Sequence, residues 1–328
     1  MIINDAIMHI YDKETGIGIF SDQSMDLKSD FGLYEYLEKH LRKCMKDNTA
    51  YRGSLGNSTL ISDYKEEGFF SFSRKVAEEI IELIIKSDID YSFSLVFIDF
   101  VSEEKHYLAV LFFQHKNLYI NIIESKNGRS INTIKSFGAV LPETTQRILE
   151  YFILELEDKD LIFKEKTRFV DGRDVNIIAD ILLLCKKQPS VKQTIEKINS
   201  IINSVAVKNE MSSTELSGKI KAHILENLDI IDTFDPKEIV KEVFADDEAL
   251  KEELVVEFDK SDLVPVKHID KKYLKRIERL HKIKTDTGIE LSVPADYLQD
   301  RELIEFNYNE DGRISIKLKN IGQIINKK

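Results

Sequence analysis

Apolar and polar positions alternate from Ile2 to Asp12 (IINDAIMHIYD). A charged turn follows, and IGIF returns after Gly16, so residues 2–20 read as a hairpin, with His9 as a core or rim residue of its strand. The period then changes. Leu33/Tyr34, Leu37, His40/Leu41 and Cys44/Met45 recur every three to four residues, which predicts a helix over Phe31–Lys46 capped by Ser29 or Asp30. Residues 47–68 are rich in Asn, Ser and Gly and read as a long loop. Val76/Ala77, Ile80/Ile81 and Ile84/Ile85 predict a second helix over Phe69–Lys86. Three strand-like runs with short connections follow, Ser92–Val101, Lys105–Phe113 and Asn117–Glu124, and read as an antiparallel meander. The expected sheet has the first hairpin on its edge and both helices on one face. The stretch 141–167 fits helix (Pro142 in a first turn) and strands (YFILEL and DLIFKEK around Asp158-Lys159-Asp160) equally well by period. Val175–Lys187 reads as helix, ending before Pro189.

Beyond Pro189 the chain reads as helices marked by their caps. Ser190-x-x-Gln193 opens one to about Val205, and Ser212-x-x-Glu215 a second to about Leu228. Asp235-Pro236-x-Glu238 opens a third, and a fourth covers Glu248–Val255. Two alternating pairs close the chain. Asp286-Thr287-Gly288 separates KIK from IELSV, and Asn309-Glu310-Asp311-Gly312 separates LIEFNY from RISIKLK, both hairpin signals. The fold class is α+β, an antiparallel sheet with packed helices, a helical middle and a small C-terminal β unit with hairpins. The expected domains are 1–175, 176–262 and 263–328.

Charge changes this picture more than composition does. The net charge of −11 argues against attraction of the whole surface to nucleic acid, so any DNA contact must come from a local basic face. One such segment exists: Lys267, Lys271, Lys272, Lys275, Arg276, Arg279, Lys282 and Lys284 stand against only Asp270 and Glu278. Directly before it, Asp235–Asp262 holds eleven acids and four lysines, an acidic block able to fold back and neutralise it. Cys44 and Cys185 are far apart and sit in apolar patterns, as buried cysteines of a reducing compartment do. The N-terminus lacks the pattern of a signal peptide, and no apolar run is long enough to span a membrane. No HxxxH, HExxH or GxSxG occurs, and no metal or cofactor is expected.

The run KIKTDTGIELSVP with its sequel RISIKLKNI resembles the C-terminal signature of the bacterial 37-kilodalton nucleoid-associated protein family. Ile2–Asp12, Phe70–Arg74 (FSFSR) and Tyr107–Phe113 (YLAVLFF) fall in that family's order and spacing. The resemblance implies a cytoplasmic protein of the nucleoid, associated with DNA and without established enzymatic activity. The expected function is binding of double-stranded DNA without strong sequence specificity, as a homodimer, with the eight basic residues from Lys267 to Lys284 touching phosphate. Two alternatives stand beside it. Asp99, with Glu124-Ser125-Lys126 some 25 residues on, resembles a PD-(D/E)xK nuclease core, in which the carboxylates hold Mg²⁺ and the lysine orients water. The acidic helices suit an adaptor that binds a protein partner and reaches DNA indirectly.

Overall fold

Strand β1 (Ile2–Asp12) turns back on β2 (Ile17–Ile19), with Ile10 opposite Ile19. This computed structural model describes residues 1–126, 128–185, 187–209, 211–227, 233–261, 263, 265–267, 280–294, 297–298, 300, 302–308 and 313–323. Helix α1 (Phe31–Met45) is capped by Asp30, whose carboxylate accepts from the Leu33 amide at 2.9 Å. The expected loop over 47–68 instead contains strand β3 (Tyr51–Ser54) and the first turns of helix α2 (Leu60–Ile85). α2 bends at Gly68 (φ 77°, ψ 168°), so the helical period legible from Phe69 belongs to its second part. β3 has little strand pattern of its own. It forms by pairing with a distant apolar strand, β9 (Asp160–Lys164), Tyr51 lying opposite Phe163.

Strands β4 (Phe93–Ser102) and β5 (Lys105–Gln114) stand where expected. The third strand of the meander does not join them. β6 (Lys116–Lys126) leaves the sheet and pairs with β7 (Arg129–Val140) as a separate two-stranded ribbon. Its place beside β5 is taken by β8 (Tyr151–Glu155), which is buried at every position, whereas β6 carries amides and charges that a buried strand would have to desolvate. The ambiguous stretch therefore contains strands β8 and β9, and the main sheet runs β2-β1-β4-β5-β8-β9-β3, antiparallel throughout. A small hairpin, β10 (Arg168–Val170) with β11 (Arg173–Val175), follows. The helix expected over Val175–Lys187 shrinks to a short π-helix, Ile177–Leu182.

The two helices lie on opposite faces of the sheet, a correction to the one-faced expectation. The reason is in β4, whose residues Phe93 to Phe100 are all buried. A strand apolar on both faces needs cover on both. Leu95 and Phe97 face Phe72, Val76, Ile80 and Ile84 of α2. Val96, Ile98 and Phe100 belong to the cluster that holds Leu37, Leu41 and Cys44 of α1. Each such side chain removed from water contributes about 1.5–3 kcal/mol.

These elements form one compact unit, Met1–Gln188; Pro189–Lys328 forms a second. In the second unit, helix α3 (Val191–Lys208) opens with the expected capping box: the Gln193 amide donates to Ser190 Oγ, and the Ser190 amide donates to Gln193 Oε1. Helix α4 (Ser213–Asn227) has Ser212 accepting from the Glu215 amide at 3.2 Å. A short pair, β12 (Thr233–Phe234) with β13 (Val266–Lys267), flanks helices α5 (Pro236–Val243) and α6 (Glu248–Lys260). Ile198, Ile202, Leu216, Ile220, Val240, Leu254 and Phe258 form the helical core. Hairpin β14 (Leu280–Lys284) with β15 (Glu290–Pro294), and hairpin β16 (Ile304–Tyr308) with β17 (Ile314–Leu318), end the unit around Val293, Leu298 and Ile304. The expected turn at 309–312 lies outside the described residues.

Candidate nucleic-acid interface

Asp99, Glu124 and Lys126 are not brought together. Asp99 lies on β4 six pairs from the Phe93–Gln114 end, where β6 departs, which is about 20 Å at the rise of a strand. Glu124 and Lys126 are on β6, which pairs with β7 in a separate sheet, and the Glu124 side chain is exposed. The Asp99 carboxylate is already engaged. Asn4 Nδ2 and His106 Nε2 each donate to Oδ1 at 2.8 Å, and the Tyr64 hydroxyl donates to Oδ2. Burial and this carboxylate push the Tyr64 hydroxyl's pKa up, so it remains a donor. No group of three or more His, Cys, Asp or Glu among the described residues is arranged to hold a metal.

Of the basic segment, Lys271, Lys272, Lys275, Arg276 and Arg279 lie outside the described residues. Lys267 ends β13, its backbone paired with Thr233. Lys282 and Lys284 are on β14, and their position follows from register. Ile283 and Leu291 are cross-strand partners and pack with Val293, Ile304 and Phe306. Lys282 and Lys284 alternate with Ile283, so they stand on the opposite face of the hairpin.

That face borders a cleft of about 380 Å³. Its other wall is helical: Asn199 and Asn203 from α3, and Ser213, Thr214, Ser217 and Lys221 from α4. Among the described residues the lining includes three lysines, two amides and three hydroxyl groups, and no carboxylate. Ser213 and Thr214 are in the first turn of α4, where unpaired amides and the helix dipole favour an anion. Lys282 makes no ion pair among the described residues. Lys284 pairs with Glu290 at 3.1 Å, both side chains being 71% exposed, so the pair is weakly held and exchangeable for a stronger anion.

The acidic block has partners in its own bundle. Glu253 pairs with Lys208, Asp259 with Lys237, Glu248 with Lys251 and Glu257 with Lys260. The charge pattern alone drew attention to the basic segment and missed Lys221 and the neutral wall of the cleft. The Ser212-x-x-Glu215 cap was the one available signal, since it fixes Ser213 and Thr214 in a first turn and Lys221 two turns on.

No helix among the described residues is long and apolar enough to cross a membrane. A comparison with curated proteins finds no match. A family model does match: it is described as nucleoid-associated protein YejK and covers residues 7–326, nearly the whole chain. An α+β protein with its lysine-lined cleft in the C-terminal unit thus belongs to the nucleoid-associated protein family of YejK.

Proposed function

We propose that the chain binds double-stranded DNA without strong sequence preference, through a basic face of its C-terminal unit. Lys282 and Lys284, with Lys221 across the cleft, hold phosphate; Lys267, Lys271, Lys272, Lys275, Arg276 and Arg279 extend the same track along the sequence. The observation that carries this reading is the lining of the cleft. In a chain of net charge −11, its lining gathers three lysines with neutral hydrogen-bonding groups and, among the described residues, no acid. Ser, Thr and Asn add hydrogen bonds to phosphate oxygens, contacts that position a duplex and read no bases. Location in the nucleoid follows from such binding.

The test is fluorescence anisotropy on a random-sequence 30-mer duplex over a salt series. The wild type is expected to show a steep log–log salt dependence. Lys282→Glu/Lys284→Glu is expected to flatten the slope by roughly 2, about one for each lysine on phosphate, and Lys272→Glu/Lys275→Glu/Arg276→Glu/Arg279→Glu by more. Variants that fold normally and keep the wild-type slope would overturn the assignment.

A further inference from the structure

The first unit holds a cavity of its own, at the Phe93–Gln114 end of the sheet, where β6 departs and the connection from β7 to β8 passes. Pro142 and the run 146–150 of that connection line one side. The run is tied to β5, because the Phe112 amide donates to the Glu150 carbonyl at 3.0 Å. The cavity measures about 80 Å³. That is room for roughly five to eight water molecules, about the size of one six-membered ring.

Its buried and exposed members differ in kind. Phe93 and Phe112 are buried, their rings stacked at 6.0 Å, and Tyr91 stands half-buried in the same lining. The Tyr91 hydroxyl donates to Glu150 Oε1 at 3.1 Å. Burial, with Glu150 beside it, pushes its pKa up to about 12, so it stays a donor. Glu150 Oε2 pairs with Arg168 at 2.7 Å, both side chains being more than nine-tenths buried, so the charge of the cavity's one carboxylate is answered within the protein. The exposed members include Lys116 at the start of β6, Arg147, and Lys166 just ahead of β10. Lys116 donates to the neutral Gln146 side chain at 3.1 Å, and the Lys166 ammonium lies 5.6 Å from the centre of the Tyr91 ring. None of these three cations makes an ion pair among the described residues.

We propose that this cavity binds a small aromatic phosphate, its single ring among Phe93, Phe112 and Tyr91 and its phosphate at the mouth on Lys116, Arg147 and Lys166. Two features select that ligand. Three unpaired cations on three separate segments converge on one opening in a chain of net charge −11, and a dianion answers more than one of them. The arginine offers a fork to two phosphate oxygens, the lysines point charges. The aromatic lining, in turn, gains only from a ligand with an apolar body of matching size, which bare phosphate lacks. A cavity this small admits no nucleic-acid duplex. The proposal stands independently of the DNA reading, since this cavity and the lysine-lined cleft lie in different units.

Isothermal titration calorimetry of the full chain with phenyl phosphate tests it. Saturable binding of one molecule per chain is expected. Inorganic phosphate and phenol, each carrying one part of the ligand, are expected to bind at least about tenfold more weakly. Arg147→Gln/Lys166→Gln alters two exposed positions, so it is expected to keep the wild-type circular dichroism spectrum and DNA affinity. Its Kd for phenyl phosphate is expected to rise about tenfold or more. Arg147→Lys/Lys166→Arg is expected to keep most of the affinity. Phenyl phosphate that gives no saturable heat at millimolar concentration, or that binds the Gln variant as it binds wild type, would overturn the proposal. Inorganic phosphate as tight as phenyl phosphate would remove the ring from it, and phenol as tight would remove the cations. Benzoate tighter than phenyl phosphate would overturn the choice of phosphate. A Gln variant that loses DNA affinity would place its cations on a nucleic-acid face and overturn the small-ligand site.

Discussion

His9 has no exposed surface and sits between the rings of Phe20 and Phe97. The Ser21 amide donates to its Nδ1 at 3.2 Å, so the proton is on Nε2, which donates to Ser73 Oγ at 3.2 Å. Burial, with the Arg74 charge nearby, lowers its pKa from 6.5 to about 4. The folded chain therefore keeps the imidazole neutral at a pH where the unfolded chain protonates it. The stability this contributes is complete above pH 6.5 and is lost as the pH falls toward 4. Urea unfolding at pH 7 and pH 4.5 checks this. The loss between the two is expected to be on the order of 2–3 kcal/mol larger for wild type than for His9→Gln. Parallel profiles would place the acid sensitivity in other groups.

At the scale of elements, the bend in α2 rests on one residue. Gly68 has φ 77° and ψ 168°, a region essentially closed to other residues, and a Cβ there would touch nothing within 4 Å. The cost of Gly68→Ala is therefore backbone strain alone. We expect a loss of roughly 1–3 kcal/mol in thermal or urea unfolding, with the sheet's spectrum kept. A neutral substitution would show that the two parts of α2 can straighten into one helix. Much of this level was legible in the sequence where the pattern is local. The caps at Asp30, Ser190 and Asp235 and the Asp286-Thr287-Gly288 turn each mark an element the structure contains. What escaped depends on partners far along the chain. β3 exists because of β9, and the side of the sheet chosen by α1 is set by the double-faced burial of β4. The exit of β6 is decided by β8, more apolar and later in the sequence. The cleft was half legible for the same reason: its lysines on β14 stand in a charged run, while its other wall comes from α3 and α4.

At the scale of the molecule, each unit owns a hydrophobic core, the first around β4 and β5, the second around α3–α6. Chains 1–188 and 189–328 made separately are expected to fold, each with a cooperative melt, and DNA affinity is expected to stay with 189–328. A second fragment that fails to fold, or DNA affinity that follows the first, would contradict this division. The order of strands in the first unit carries a consequence for synthesis. Ile2 pairs with Val101 and Tyr51 with Phe163. On the ribosome, then, β1 and β3 emerge long before their neighbours exist, and at about 5–20 residues per second they wait for many seconds with unpaired backbone. The first unit cannot close its sheet until β9 has left the exit tunnel. A nascent chain stalled before that point should bind holdase chaperones, and one stalled well beyond it should release them.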